Sequence, residues 1–246
     1  MASQPPQPPS PPAEAEPDWR QRFEERWGLR RRGVPLPPEE DPDGKRLLRL
    51  GALKKPFERN LLQSPNPEGV NIYEAAPPCP PSASQVPLDP QGNFKGWQIS
   101  IEPIPEDSKQ DPLSLASPRY SWRVKEQRVD LLAEGLWEAL LDLYQPNITV
   151  MDWYEHSKLA SSVYELHVQL LGADGTLVIG EFHHVAREHE QDLKNKNWFH
   201  VSHLFKHYGP GVRYIHFQHK TKGVETPAGF LWTRATDSSV SVQLRD

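Results

Sequence analysis

Alternation of apolar and polar residues dominates the second half of the chain. Between Val163 and Leu171, the residues Tyr164, Leu166, Val168 and Leu170 are apolar and those between them are polar. This period of two is typical of a β-strand with one face in a core and the other in water. Runs of the same kind predict further strands at residues 94–104, 124–132, 148–153, 177–185, 198–205, 212–219 and 231–244.

One interval has a helical pattern instead. Apolar residues that include Leu136, Trp137 and Leu140 recur at spacings of three and four, which predicts one short helix over residues 133–141. Strands that follow one another without further helices favour a sandwich or a barrel over a parallel sheet. The Gly-Ala-Asp-Gly run at 172–175 is a hairpin signal between two of them. The predicted fold class is therefore all-β, an antiparallel sandwich with one short helix.

The first half of the chain is a different kind of polymer, because 24 of the 27 prolines lie between Pro5 and Pro118. Proline lacks a backbone donor and has a fixed φ, so dense proline supports neither helices nor central strands. We expect residues 1–17 to be disordered and short helices at 18–29 and 45–53. The predicted organisation is a proline-rich, largely disordered region over residues 1–56, followed by a domain over 57–246 whose sandwich core starts near residue 94.

Composition narrows the function further. The net charge of -5 gives no reason to expect nucleic acid as a partner. Cys79 is the only cysteine, which excludes an intrachain disulfide and a cysteine-rich zinc site and fits a reducing compartment. The sequence has no apolar signal segment and no run of eighteen apolar residues, so we expect a cytoplasmic protein without a membrane span.

Candidate chemistry is sparse. The chain has ten histidines, which we expect to be ordinary surface or turn residues rather than metal ligands, since His200 and His203 would lie on opposite faces of one strand. There is no nucleophile elbow, phosphate loop or dinucleotide fingerprint. Paired carboxylates such as Glu138 and Asp142 are expected to face solvent. The sequence therefore predicts no catalytic residue, no metal and no cofactor.

Four ordered blocks of sequence resemble the F-box-associated domain family. The first runs from 129 to 138 and reads VDLLAEGLWE, and the resemblance extends over about residues 57–246. The remaining blocks are Asp152-Trp153-Tyr154 with Tyr164-Glu165-Leu166, the HYGPGVR run at 207–213, and Thr236-Asp237-Ser238-Ser239-Val240.

The resemblance implies both a fold and a function. Members of this family are ten-stranded, galactose-binding-like jelly-roll sandwiches that hold a substrate, often a glycoprotein with high-mannose N-glycans. An F-box docks them on Skp1 within a cullin ubiquitin ligase. The resemblance thus implies a non-catalytic substrate adaptor of such a ligase, with roles in glycoprotein catabolism and endoplasmic-reticulum-associated degradation.

The chain departs from the family at the sugar site. Family members that bind sugar carry Tyr-Trp-Lys before the last strand, and the equivalent positions here are Thr226, Pro227 and Ala228. The stacking ring and the cation are absent, so we expect altered or lost glycan binding. Phe230 and Trp232 are candidate loop contacts.

The chain also departs from the family at the F-box. Residues 18–56 lack the apolar pattern of three packed helices and offer only a Leu-Pro pair at Leu36, so the F-box is degenerate or absent and Skp1 binding stays open. Two alternatives remain beside the adaptor of protein substrates. One is a lectin-like module for high-mannose glycans, and the other is a cell-surface receptor.

Overall fold

The computed structural model describes residues 19–38, 40–66, 94–104, 120–155, 163–187, 198–226 and 229–245. These residues form two α-helices, one short π-helix at Leu140–Tyr144, and nine strands. The helices are α1, Trp19–Trp27, and α2, Pro42–Lys54. The strands are β1 Gln98–Pro103, β2 Tyr120–Asp130, β3 Asn147–Glu155, β4 Val163–Leu171, β5 Val178–Arg187, β6 Trp198–Phe205, β7 Tyr214–Thr226, β8 Gly229–Trp232 and β9 Ala235–Gln243.

The strands form two antiparallel sheets. The large sheet has the order β1-β2-β7-β4-β5, with β8 pairing to the end of β7, and the small sheet has the order β6-β3-β9. Residues 57–65 run along the free edge of β9, where the Leu61 amide donates to the Val240 carbonyl at 2.7 Å. The predicted all-β antiparallel sandwich is confirmed.

The interior lies between the two sheets and is built by strand alternation. On β4 the residues predicted to face inward are all buried, beginning with Tyr164 and Leu166. Phe217 on β7 joins them from the large sheet, and Val150 and Val240 face them from the small sheet. Burying such side chains supplies most of the driving force for folding.

The amino-terminal helices pack on this same interior. Asp41 caps α2 by accepting from the Asp43 amide at 3.1 Å, and Leu48 in the middle of the helix is fully buried. Phe23 of α1 makes an edge-to-face contact with Trp137, their ring centroids 6.5 Å apart. The boundary at residue 56 stays a prediction about domains, but the packed interior crosses it.

The predicted helix at 133–141 is wrong in position. The chain instead makes a turn through residues 131–135 and becomes helical only around the π-helix. Gly135 has a φ of +96°, and a Cβ at this position would lie 3.0 Å from the Cα of Gly51 in α2. The close approach of α2 requires this left-handed glycine, which interrupts a helix. The apolar residues of the pattern, Leu136 and Trp137 among them, are nevertheless buried.

The prediction that β1 would be half-buried is also wrong. Trp97, just before the strand, is buried, but Ile99 and Ile101 are 43% and 65% exposed. β1 is an edge strand of a sheet five strands wide, and a three-stranded sheet cannot cover it.

Over the described ranges, no helix is long and apolar enough to cross a membrane.

Candidate functional site

The β7–β8 hairpin holds the residues that sequence singled out for ligand contact. The backbone of Thr226 ends β7 opposite Gly229, and Phe230 and Trp232 pair through β8 with the last residues of β7. Pro227 and Ala228 lie outside the described residues, as do the side chains of the other three. The hairpin is therefore placed by its backbone, and the contacts of these five residues stay predictions.

A buried polar cluster lies between the two sheets. Its centre is Asp152 on β3, whose carboxylate accepts a hydrogen bond from the Tyr164 hydroxyl on β4. His219 Nδ1 on β7 lies 2.7 Å from the same oxygen, and Ser238 Oγ on β9 donates to the other oxygen at 2.7 Å. One carboxylate thus joins four strands and both sheets. All four side chains have relative exposures of 1% or less.

Further buried groups surround the cluster. The Trp97 ring stacks on the His219 ring, with centroids 5.1 Å apart and planes within 8°, and the Trp97 indole donates to the Ser64 carbonyl at 2.8 Å. Lys125 of β2 is also fully buried and donates to the Ala235 carbonyl at 3.3 Å. Ala235 comes soon after β8, so the Lys125 hydrogen bond links the segment that follows the hairpin to β2.

The cluster contains the residue types of a hydrolase triad without the arrangement of one. Ser238 donates to the aspartate, so its proton is directed to the carboxylate rather than to a base that would activate it for attack. Burial, reinforced by the charge of Asp152, raises the pKa of Tyr164 well above its ordinary value, so this hydroxyl stays protonated. The four side chains are closed off from solvent in this structure.

The outer face of the large sheet is polar and open. A groove of about 500 Å³ crosses it, lined among others by Gln98, Glu126, Arg128, Gln169 and His216. Glu126 accepts from the Gln218 side chain at 2.7 Å, and His216 Nε2 lies 3.1 Å from the same carboxylate oxygen. Within the described ranges, no three His, Cys, Asp or Glu residues converge as metal ligands would.

Residues 52–242 match the family described as the F-box associated region. The chain belongs to that family. The Homo sapiens F-box only protein 50 is 52% identical over 228 residues, which are 92% of this chain and 75% of the human protein. The Danio rerio F-box only protein 50 is 43% identical over 237 residues, 92% of this chain and 96% of that protein. The Bos taurus F-box only protein 2 is 37% identical over 154 residues, 60% of this chain and 51% of that protein.

Solved structures overlap with this F-box-associated domain only loosely. The TmCBM61 module in complex with β-1,4-galactotriose is 12% identical, covering 76% of this chain and 100% of that chain with a TM-score of 0.35. The CBM22-1 xylan-binding domain from Paenibacillus barcinonensis is 9% identical, covering 61% and 88%, with a TM-score of 0.31. Overlaps at this level carry no inference about a ligand.

The buried polar cluster of this F-box-associated domain was not predicted from the sequence. We predicted ordinary surface or turn histidines, but His219 is fully buried. A signal was present, because Ile215, Phe217 and His219 alternate along one strand and therefore share its inward face. Asp142, expected to face solvent, instead accepts two hydrogen bonds of 2.8 Å from the guanidinium of Arg213.

Proposed function

We propose that this F-box-associated domain is a non-catalytic, cytoplasmic substrate adaptor that presents protein clients to a Skp1-cullin-F-box ubiquitin ligase. Membership of the family supports the proposal, together with relatives named F-box only proteins. Clients would bind on the exposed loops and faces of the sandwich. Those clients include glycoproteins, which links the chain to glycoprotein catabolism and endoplasmic-reticulum-associated degradation.

The single observation that carries the proposal is the match of residues 52–242 to the F-box associated region. The closed polar cluster supports the non-catalytic part of the proposal. Asp152, His219 and Ser238 would be the natural catalytic set in this chain, and each is fully buried and hydrogen-bonded within the fold. Because these reactive side chains stabilise the interior, we expect the domain to act through its surface. Loops carried on a rigid scaffold are the usual place for such recognition.

The surface that would bind Skp1 differs from that of a separate three-helix F-box. In the described part of residues 19–56, two helices direct Phe23 and Leu48 into the sandwich. Skp1 would then meet the solvent-facing side of this helical pair rather than a separate three-helix domain. Leu53 on α2, 73% exposed, lies on that side.

Glycan recognition by the hairpin is expected to be weak. Thr226, Pro227 and Ala228 stand where sugar-binding members have an aromatic ring and a cation. Stacking of a ring against an apolar face is worth roughly 1 kcal/mol, so its loss removes much of a weak sugar affinity. Calorimetric titration of the full chain with chitobiose should give no measurable heat, and tight binding would instead support the lectin-like alternative.

The adaptor is tested by two measurements on the full chain. The first co-expresses it with Skp1 and cullin 1, and we expect a stable complex that the substitution Leu53→Asp weakens. The second places a photo-crosslinking residue at Thr226, with Leu143 as the control because it is 72% exposed on the π-helix. We expect clients to be crosslinked from Thr226 and not from Leu143.

Two outcomes would overturn the proposal. Absence of Skp1 from the purified complex would remove the ligase half of the proposal. Equal crosslinking from both positions would remove the client site at the hairpin. The receptor alternative predicts the chain at the cell surface, and fractionation of cells that express it tests that directly.

A further inference from the structure

We propose that the groove on the outer face of the large sheet binds an extended segment of client polypeptide through its backbone amides. This inference rests on the proposed function, since it says how a protein client is held. The groove lies on the opposite side of the sheet from the buried cluster. Its floor is formed by β2, β7 and β4, and its sides by the turn at Gly96 and the β4–β5 hairpin at Gly175.

The first observation is an exposed arginine that packs on an aromatic ring at the groove. The Arg128 guanidinium carbon lies 4.1 Å from the centre of the Tyr214 ring. The guanidinium also lies close to Gly175, whose φ is +72°, and a Cβ there would lie 1.8 Å from Arg128 Nη2. A side chain at position 175 would thus occupy the space of the guanidinium. Within the described ranges, no carboxylate forms an ion pair with Arg128, so its donors are available to a ligand.

The second observation is an acceptor at the correct spacing from this donor. Glu126 is two residues from Arg128 on the same face of β2. Residues two apart on a strand are about 6.8 Å apart, which is also the two-residue repeat of an extended peptide. His216 and Gln218 orient the Glu126 carboxylate. Arg128 can therefore donate to a peptide carbonyl while Glu126 accepts from the peptide N–H one repeat away.

The rest of the lining favours a peptide over a sugar or an anion. Gln98 and Gln169 add side-chain amides, which both donate and accept as a peptide group does. Among the lining residues that the structure describes there is no Trp, Tyr or Phe, and the nearby Tyr214 ring is covered by Arg128, so these residues offer no open ring to a sugar face. Glu126 offsets the charge of Arg128, which disfavours a strongly acidic ligand. The ligand that fits is a neutral polypeptide in extended conformation.

The test uses the isotope-labelled full chain and nuclear magnetic resonance. The probe is an acetylated, amidated eight-residue peptide of alternating Thr and Gln, titrated to millimolar concentration. We expect saturable shifts at Gln98, Glu126, Gln169 and His216. The substitution Arg128→Ala should weaken binding about tenfold, since a hydrogen bond to a charged group contributes on that order. Arg187→Ala is the matched control, an exposed arginine at the end of β5, and should leave the affinity unchanged.

Several results would overturn the inference. It fails if no saturable shift occurs in the groove, or if Arg128→Ala and Arg187→Ala bind the peptide equally well. It fails also if the groove responds only to a peptide with Asp in place of Thr, or to chitobiose, because the ligand would then be an anion or a sugar. If the parent chain forms the Skp1 complex but does not bind the peptide, the peptide groove is contradicted and the adaptor function is not. If it binds the peptide but forms no Skp1 complex, the adaptor function is contradicted and the peptide groove is not.

Discussion

Two histidine–carboxylate pairs lie on opposite sides of one strand and serve different purposes. His219 contacts Asp152 at 2.7 Å in the closed interior, where both side chains have zero exposure. His216, three residues earlier on β7, contacts Glu126 at 3.1 Å on the outer face, where the side chains are 25% and 31% exposed. The residue types are nearly the same, and only the face of the strand differs.

Burial, rather than residue type, therefore decides whether a histidine–carboxylate pair stabilises the fold or stays available to a ligand. The inner carboxylate accepts hydrogen bonds from Tyr164 and Ser238 and contacts His219, so removing it takes a charged partner from three buried groups. The outer pair exchanges its partners with water at little cost. The inner pair therefore holds the fold together, and the outer pair remains available to a ligand.

The substitution with the largest expected effect on this comparison is Asp152→Ala. We expect a loss of roughly 3 to 5 kcal/mol in the free energy of unfolding, because three buried groups lose a charged acceptor. Urea denaturation followed by tryptophan fluorescence measures it. Asp152→Asn keeps one acceptor oxygen and should lose less. A loss below about 1 kcal/mol for the alanine variant would mean that the cluster is not a brace.

The amino-terminal helices extend the comparison to apolar residues. Leu48 is fully buried in α2 and Leu53 is 73% exposed in the same helix. Leu48→Ala should destabilise the whole domain by about 2 to 5 kcal/mol, and Leu53→Ala by less than about 0.5 kcal/mol. Thermal unfolding of both variants checks this. Equal melting temperatures would show that α2 contributes nothing to the interior.

Asp142 and Arg213 provide an intermediate case. Their side chains are 25% and 11% exposed, and the Arg213 hydrogen bonds lower the pKa of Asp142 despite partial burial. Because the folded pKa lies below the unfolded one, the pair stabilises the fold above the unfolded value of about 4. That contribution is lost as the pH falls through the folded pKa.

The corresponding variant is Asp142→Asn. At pH 7 we expect a loss of about 1 to 2 kcal/mol, between the values typical of exposed and buried pairs. The difference from the parent should shrink as the pH falls below about 4, and it should be lost as the pH passes through the lowered pKa of Asp142, where the parent side chain also becomes neutral. Urea unfolding at a series of pH values measures both. A difference that is independent of pH would exclude the ion pair as its cause.

The smallest effect is expected on the outer face. Glu126→Gln should change the free energy of unfolding by less than about 0.5 kcal/mol, since water replaces the partners of a half-exposed carboxylate. The same urea assay serves, with Asp152→Asn as the matched inner substitution. A loss as large as that of the inner variant would erase the distinction between the two faces.

The sequence predicted the local elements better than the faces they bury. The bounds of β4 and β6 agree with the structure because alternation and flanking turns are local signals. On β2 the inward set includes Lys125 and Gln127, while the outward Val124 is nonetheless buried. Pairing with distant strands fixes that choice. A distant contact also fixes the conformation at Gly135, because its turn is required by the close approach of Gly51 in α2.

The candidate site shows the same division. The alternation that ends at His219 could have indicated a buried histidine, but its partner Asp152 lies on the other sheet. No local pattern brings β3 and β7 together. Arg128 and Gly175 likewise meet only through tertiary packing, so the groove was invisible in the sequence.

Accessibility of the two histidines to a small reagent tests the central claim most directly. The folded full chain is treated briefly with diethyl pyrocarbonate, and modified sites are mapped by mass spectrometry. We expect modification of His216 and protection of His219 in the native protein, with both modified after unfolding in urea. Modification of native His219 as fast as His216 would contradict a closed interior and, with it, the assignment of function to the surface.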